Sequence, residues 1–184
     1  GEGHVAIEYL KDVTGDATAG EVALNFPAHD LESATRAIWG VADPKKFVAI
    51  FPGSGSASKN WPIEKFATLA YRLKEETRAI FILGPAEDRL EDVLIESGMS
   101  ILKKLSLGTV AAIARMASAF VGNDSGVSHL ASAAGTPGVV LFGPTEPERW
   151  APMGVAKVIR RKPIEDIETS EVVSALRTLR HRAS

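Results

Sequence analysis

An α/β fold with a parallel sheet covered on both faces is what this sequence predicts. Two observations lead there. From Phe47 onward, short continuous apolar runs alternate with amphipathic helical stretches, the pattern of strands buried on both faces and separated by crossover helices. The stretch from Phe120 to Trp150 then reads as strand, tight polar turn, small-residue helix, second strand and second turn with almost nothing left over. In such sheets ligands sit at the carboxyl ends of the strands, so the loops after the strands carry the functional information.

Residues 1–44 differ from the rest and read as a connecting arm, with a short helix over His4 to Val13, an alternating strand over Glu21 to Phe26 and a helix over Leu31 to Trp39, before Asp43-Pro44. Residues 45–184 read as one domain. Its expected elements are a strand over Phe47 to Phe51, a Gly/Ser loop and a helix starting near Pro62. A strand over Ala79 to Leu83 and a helix over Glu87 to Ser97 follow. Next come a short strand near Ile101, a helix over Thr109 to Met116, and a strand over Ala119 to Val121. The turn Gly122 to Gly126 leads into a helix over Val127 to Ala134, which Gly135 ends. A strand near Lys157 to Ile159 and a helix over Ser170 to Arg182 complete the chain.

The composition, 45% hydrophobic and 24% charged over 184 residues, is that of a globular domain able to bury a core. No apolar run approaches the ~20 residues of a membrane span, and no secretory signal pattern opens the sequence. The lack of cysteine removes disulfides, cysteine-ligated zinc and thiol nucleophiles, and fits a reducing compartment. A net charge of −2 excludes a broad electrostatic hold on nucleic acid, so any anion must be held by local geometry.

Three post-strand loops are candidates for that geometry. Pro52 to Pro62 combines glycines, hydroxyls and one cation before a helix: Lys59 offers a point charge to a phosphate, and Ser54 or Ser56 offers further donors. A solvated loop with a surface lysine would read the same way. Gly84-Pro85-Ala86-Glu87-Asp88 places two carboxylates at a helix start, where they suit either ribose hydroxyls or simply the helix dipole. At the third, Asn123, Asp124 or Ser125 can cap a helix whose free N–H groups suit an anion, and Gly126 would let a ligand approach the backbone. His129 lies one turn beyond Ser125. A Ser/His/Asp hydrolase is disfavoured, because the Gly-x-Ser-x-Gly elbow is missing. Walker A and the dinucleotide fingerprint fail as well, and no Asp-x-Asp or His-rich spacing suggests a metal.

Together FPGSGSASKNWP, LGPAED, LSLGTVAAIARMASAFVGNDSG and HLASAAGTPGVVLFGPTEPERW resemble the C-terminal half of glycosyltransferase family 9, the heptosyltransferases of bacterial lipopolysaccharide core synthesis. The resemblance runs from about Phe47 to the C-terminus. It implies a Rossmann-like three-layer domain, the donor-binding half of a GT-B enzyme, with residues 1–44 as linker and crossover. It also implies an ADP-heptose donor, an inverting and metal-independent transfer, and a lipopolysaccharide core acceptor. Carried over by position, Lys59 neutralises the donor diphosphate, with Ser54 and Ser56 in its loop, and Glu87 holds the ribose. Leu107 contacts the adenine, Asp124 orients the donor sugar, Ser125 and Gly126 offer N–H groups to the phosphates, and His129 supports that site.

The family's general base and most of its acceptor contacts lie in an N-terminal domain for which this chain has no room. The resemblance thus implies part of a longer cytoplasmic enzyme, one whose full form associates peripherally with the inner face of the inner membrane, or a domain that works with a partner, and in either case a chain inactive in transfer by itself. A non-catalytic nucleotide-sugar binding module and another GT-B enzyme, such as a nucleotide-sugar epimerase, are the alternatives.

Overall fold

A computed structural model of the chain describes residues 24, 26–154 and 156–182. The helix expected over His4 to Val13 lies outside the described residues, as does most of the strand expected over Glu21 to Phe26. In chain order the elements are α1 (Ala28–Ile38), β1 (Phe47–Phe51), α2 (Ile63–Leu73), β2 (Arg78–Leu83), α3 (Glu91–Glu96), β3 (Ser100–Lys103) and α4 (Leu107–Met116). They continue with β4 (Ala119–Asn123), α5 (Gly126–Ala133), β5 (Gly138–Phe142), α6 (Pro147–Trp150), β6 (Ala156–Arg160) and α7 (Thr169–Arg182). Single 3-10 segments at Ala57–Lys59, Pro85–Leu90 and Ile164–Asp166 punctuate the loops.

The six strands form one sheet in the order β3-β2-β1-β4-β5-β6, and every neighbouring pair is parallel. This is the doubly wound, Rossmann-like arrangement expected from the apolar runs. After β1 the chain winds outward through β2 and β3, then returns to place β4 on the other side of β1. The connections that leave β1 and β4 therefore diverge, and a crevice opens between them at the carboxyl edge.

All five residues of β1 are buried because both faces are covered. Val48 and Ile50 join Trp61, Phe66, Leu69, Phe81, Val121 and Leu176 in a core beneath α2 and α7. Phe47, Ala49 and Phe51 point the other way, into a core with Ile38, Ile80, Ile113, Phe120 and Phe142. Ala34 and Ile38 of α1 are buried in that second core, so this helix of the predicted arm lies against the domain.

Two of the boundaries that differ from expectation bear on the site. The helix expected from Glu87 begins as the 3-10 segment Pro85–Leu90, in which the Glu87 carboxylate accepts from the Gly84 N–H at 2.9 Å, and α3 starts only at Glu91. Strand β4 runs to Asn123, so Gly122 belongs to the strand and not to the turn. Close approach explains the glycine: a Cβ there would stand 2.6 Å from Ser128 Oγ and 3.2 Å from the Phe51 carbonyl oxygen. Helix α5 can thus press on the sheet, and Ser128 donates to the Asn123 carbonyl at 2.7 Å.

On the outer face, Glu76 joins the end of α2 to α7 by accepting from Arg177 Nε at 2.9 Å, with Arg180 3.8 Å away. The Arg177 hydrogen bond holds the Glu76 carboxyl below the usual carboxylate range against an opposing effect of burial, and the charges of Arg177, Arg180 and His181 add to it. A lowered carboxyl pKa in the folded state stabilises the protein above the unfolded value, and that contribution is lost as pH falls through the folded value. Glu76→Gln should therefore lower the melting temperature by about 1–2 °C at pH 7, a small effect because the pair is solvent-screened. Melting curves across pH should show the difference between variant and parent closing in acid and shrinking in high salt.

Candidate functional site

The candidate site lies where β1 and β4 diverge. Asn123, the last residue of β4, is fully buried, and its amide is satisfied by the loop after the neighbouring strand. Its Oδ1 accepts from the Trp61 backbone N–H at 3.0 Å, and its Nδ2 donates to the Pro52 carbonyl at 2.7 Å. Trp61 is held on its other side as well, its indole N–H donating to the Ile167 carbonyl at 3.0 Å and its ring meeting Phe66 edge-on. Both ends of the Pro52 to Trp61 loop are therefore pinned to the core.

Within that loop Ser54 Oγ lies 2.6 Å from Asn60 Oδ1 and 2.8 Å from the Ser56 carbonyl oxygen. Ser56 and Ser58 share a hydroxyl contact at 3.0 Å. Lys59, ending the 3-10 segment, reaches across the crevice and donates to Asp124 Oδ2 at 2.8 Å. The Asp124 side chain is only 7% exposed, so its charge has little water to rely on and depends on partners. A second donor meets the same oxygen: Thr145 Oγ1, from the loop after β5, at 2.7 Å. The backbone N–H of Asp124 bonds to the Leu141 carbonyl at 3.0 Å, which fixes where the side chain leaves the sheet.

Ser125 occupies the N-cap of α5 in extended conformation, and its side chain makes no capping bond to the helix. The capping bond open to Asn123, Asp124 or Ser125 in the sequence is thus absent at Ser125. Asn123 is spent on the β1 loop, and Asp124 on Lys59 and Thr145. The first turn of the helix, with its positive dipole end, faces the crevice through Ser125 and Gly126. A Cβ at Gly126 would meet nothing within 4 Å, so the backbone there is open to approach.

A cavity of about 460 Å³ lies against this edge. Its walls include Phe51, Ile82, Leu105, Val110, Val127 and Leu130, an apolar slot suited to a flat ring. Ser54, Glu87, Leu107, Ser125 and Gly126 also line it. Leu107, at the start of α4, is 71% exposed and forms an apolar rim. The Glu87 carboxylate bridges the ends of β1 and β2: a Cβ on Gly53 would stand 2.2 Å from its Oε1 and one on Gly84 2.8 Å from its Oε2. Glycine at both positions lets a carboxylate lie there.

Five of the nine predicted site residues thus line one cavity, and Lys59 and Asp124 pair beside it. Ser56 and His129 do not line the cavity. Ser56 points into its own loop, and His129 is half-buried on the first turn of α5. Two residues went unassigned to the site in the sequence, Asn123 as a tie and Thr145. Among the described residues no group of three or more His, Asp or Glu is placed to hold a metal ion, and no helix is long and apolar enough to cross a membrane.

If the Asn123 amide is what ties the two loops together, Asn123→Ala should cost about 2–4 kcal/mol by stranding the Trp61 N–H and the Pro52 carbonyl. Urea unfolding monitored by tryptophan fluorescence measures this; a loss within 0.5 kcal/mol, taken as roughly the scale of a neutral surface substitution, would remove Asn123 from that role.

The profile of "Glycosyltransferase family 9 (heptosyltransferase)" matches residues 10–178. The chain is 27% identical over 180 residues to lipopolysaccharide heptosyltransferase 2 of Salmonella typhimurium, a match that takes in 86% of this chain and 50% of that protein. It thus spans about half the length of the curated relatives it matches. The solved structure of a glycosyl transferase family 9 protein from Veillonella parvula superposes with a TM-score of 0.88 at 23% identity, covering 99% of this chain and 61% of that one. Escherichia coli ADP-heptose LPS heptosyltransferase II superposes with a TM-score of 0.76 at 21% identity, covering 87% and 54%. The fold is that of these structures, and by its sequence the chain belongs to glycosyltransferase family 9.

Proposed function

We propose that residues 45–184 form the donor-binding half of a heptosyltransferase, taking ADP-heptose for inverting transfer to a lipopolysaccharide core acceptor, and that residues 1–44 link them to the acceptor half. One observation carries this reading. An apolar slot, the Glu87 carboxylate and the first turn of α5 line a single cavity, with the Lys59–Asp124 pair beside it, and these are the kinds of group that the base, ribose, diphosphate and sugar of a nucleoside diphosphate sugar call for.

In this reading adenine lies between Leu107 and the slot walls, and Glu87 accepts the ribose hydroxyls. The diphosphate rests between Lys59 and the N–H groups at Ser125 and Gly126. Asp124 accepts hydroxyls of the sugar. The acceptor oxygen then attacks the anomeric carbon from the face opposite the diphosphate, and the bond from that carbon to the phosphate oxygen breaks. ADP departs with the electron pair. Lys59 and the α5 dipole stabilise the charge that grows on the leaving oxygen, which is electrostatic catalysis by groups already in place. Both cleft carboxylates are engaged in binding here, so the proton of the acceptor hydroxyl passes to a base in the acceptor half. His129, behind the first turn of α5, supports the phosphate end, and Ser56 acts only through the shape of its loop.

Isothermal calorimetry with ADP, UDP, GDP and NAD should show binding, strongest for ADP; binding of NAD alone would overturn the reading. Lys59→Ala should weaken ADP by roughly 10- to 100-fold while leaving adenosine within about 2-fold, since a charge-assisted bond to phosphate contributes nothing to the nucleoside. Asp124→Asn should leave ADP unweakened and reduce affinity for the intact nucleotide sugar. Equal loss of adenosine in both variants would mean a damaged fold and would defeat the assignment of roles. Because Lys59 and the helix end meet the phosphate charge, EDTA should leave the affinity unchanged.

A further inference from the structure

Asp124 Oδ2 receives two donors, Lys59 Nζ at 2.8 Å and Thr145 Oγ1 at 2.7 Å, and they differ in mobility. Lys59 stands on a four-carbon stem with its side chain 30% exposed. Thr145 stands on a short, β-branched stem that is stiff at χ1. Its loop is framed by Pro144 and Pro147, whose rings fix the backbone. Outside the loop Arg160 lies 3.7 Å from Glu146 and 4.0 Å from Glu148 of α6. At its start Gly143 packs so closely that a Cβ would stand 2.9 Å from Ile164 Cβ. The β4–β5 register, with Asn123 opposite Leu141, sets the distance between the two loops.

We propose that Thr145 is a positioning residue that keeps the Asp124 carboxylate aimed at the donor sugar while Lys59 moves from Asp124 onto the diphosphate. The inference rests on the reading of the crevice as a nucleotide-sugar site. Lys59 and Asp124 neutralise each other across the crevice. A diphosphate competes for the ammonium with a larger charge, and as Lys59 turns toward it Asp124 loses one of its two holders. The Thr145 bond remains, on Oδ2, and leaves Oδ1 for a sugar hydroxyl. Binding of the diphosphate and recognition of the sugar are thereby separated: Lys59 serves the first, Thr145 through Asp124 the second.

The test is calorimetry of ADP and of ADP-heptose with Thr145→Val, which keeps the shape and removes the hydroxyl, and with Thr145→Ser, which keeps the hydroxyl. Thr145→Val should leave ADP within about 2-fold and weaken ADP-heptose by roughly 5- to 20-fold, with Thr145→Ser restoring the parent value to within about 2-fold. Equal weakening of both ligands, or an unchanged preference for ADP-heptose, would overturn the proposal. Crystal structures of Lys59→Ala and of Lys59→Ala/Thr145→Val, which take away the lysine holder without any ligand, supply a reading independent of any donor, and the carboxylate is compared between the two. A carboxylate that turns away only in the double variant supports positioning by Thr145, and one placed alike in both contradicts it. If the parent protein binds neither ADP nor ADP-heptose, the proposed function fails, and those crystal structures still decide what Thr145 does to Asp124.

Discussion

The buried amide of Asn123 is the constraint on which the rest of the site depends. A parallel sheet ends in backbone groups that have no ladder partner, and where the topology reverses there is no adjacent connection to cover them. Asn123 meets this problem from inside the core, satisfying the Pro52 carbonyl and the Trp61 N–H with one side chain. The loop between those two residues is thereby held to the end of β4, and Lys59 is delivered to within hydrogen-bonding distance of the residue next to Asn123. An apolar residue of similar size would leave a buried donor and a buried acceptor unpaired, each costing about 1–3 kcal/mol.

In the proposed reading, that tie lets a protein of net charge −2 present a local anion site. Its attraction would be short-range, built from one ammonium and the first turn of α5 beside the apolar walls of the cavity. The same low polarity penalises a lone charge, so the resting structure pairs Lys59 with the nearly buried Asp124. Such a pair is a store of two partners held ready: a ligand bearing both phosphate and hydroxyls can replace each half of it without leaving either charge exposed to an apolar wall.

The layer structure was legible because buried parallel strands must be continuously apolar, and Phe47 to Phe51 or Gly138 to Phe142 can hardly be anything else in this setting. The expected ends of elements were less secure. Gly122 reads as a turn residue by composition, yet it is a strand residue selected by its closeness to Ser128 and Phe51, a tertiary fact with no local signature. The 3-10 start after β2 has a similar origin, since Glu87 bonds back to Gly84 and delays α3. Residues whose chemistry can be read within their own loop, such as Lys59, Glu87 and Gly126, stood out as candidates in the sequence. Thr145 did not, because its partner is Asp124 and only the β4–β5 register brings the two together. Asn123 was visible as a possible helix cap, but its actual partners lie more than sixty residues away in the loop after β1.

A crystal structure of this chain grown with ADP tests the central claim most directly. The account predicts adenine against Leu107 and Val110, the ribose hydroxyls on Glu87, and the phosphates between Lys59 and the N-terminus of α5, with Lys59 Nζ drawn away from its 2.8 Å contact with Asp124. ADP bound elsewhere on the domain, or bound in the crevice with its phosphates at Leu107 and its base at Lys59, would contradict it.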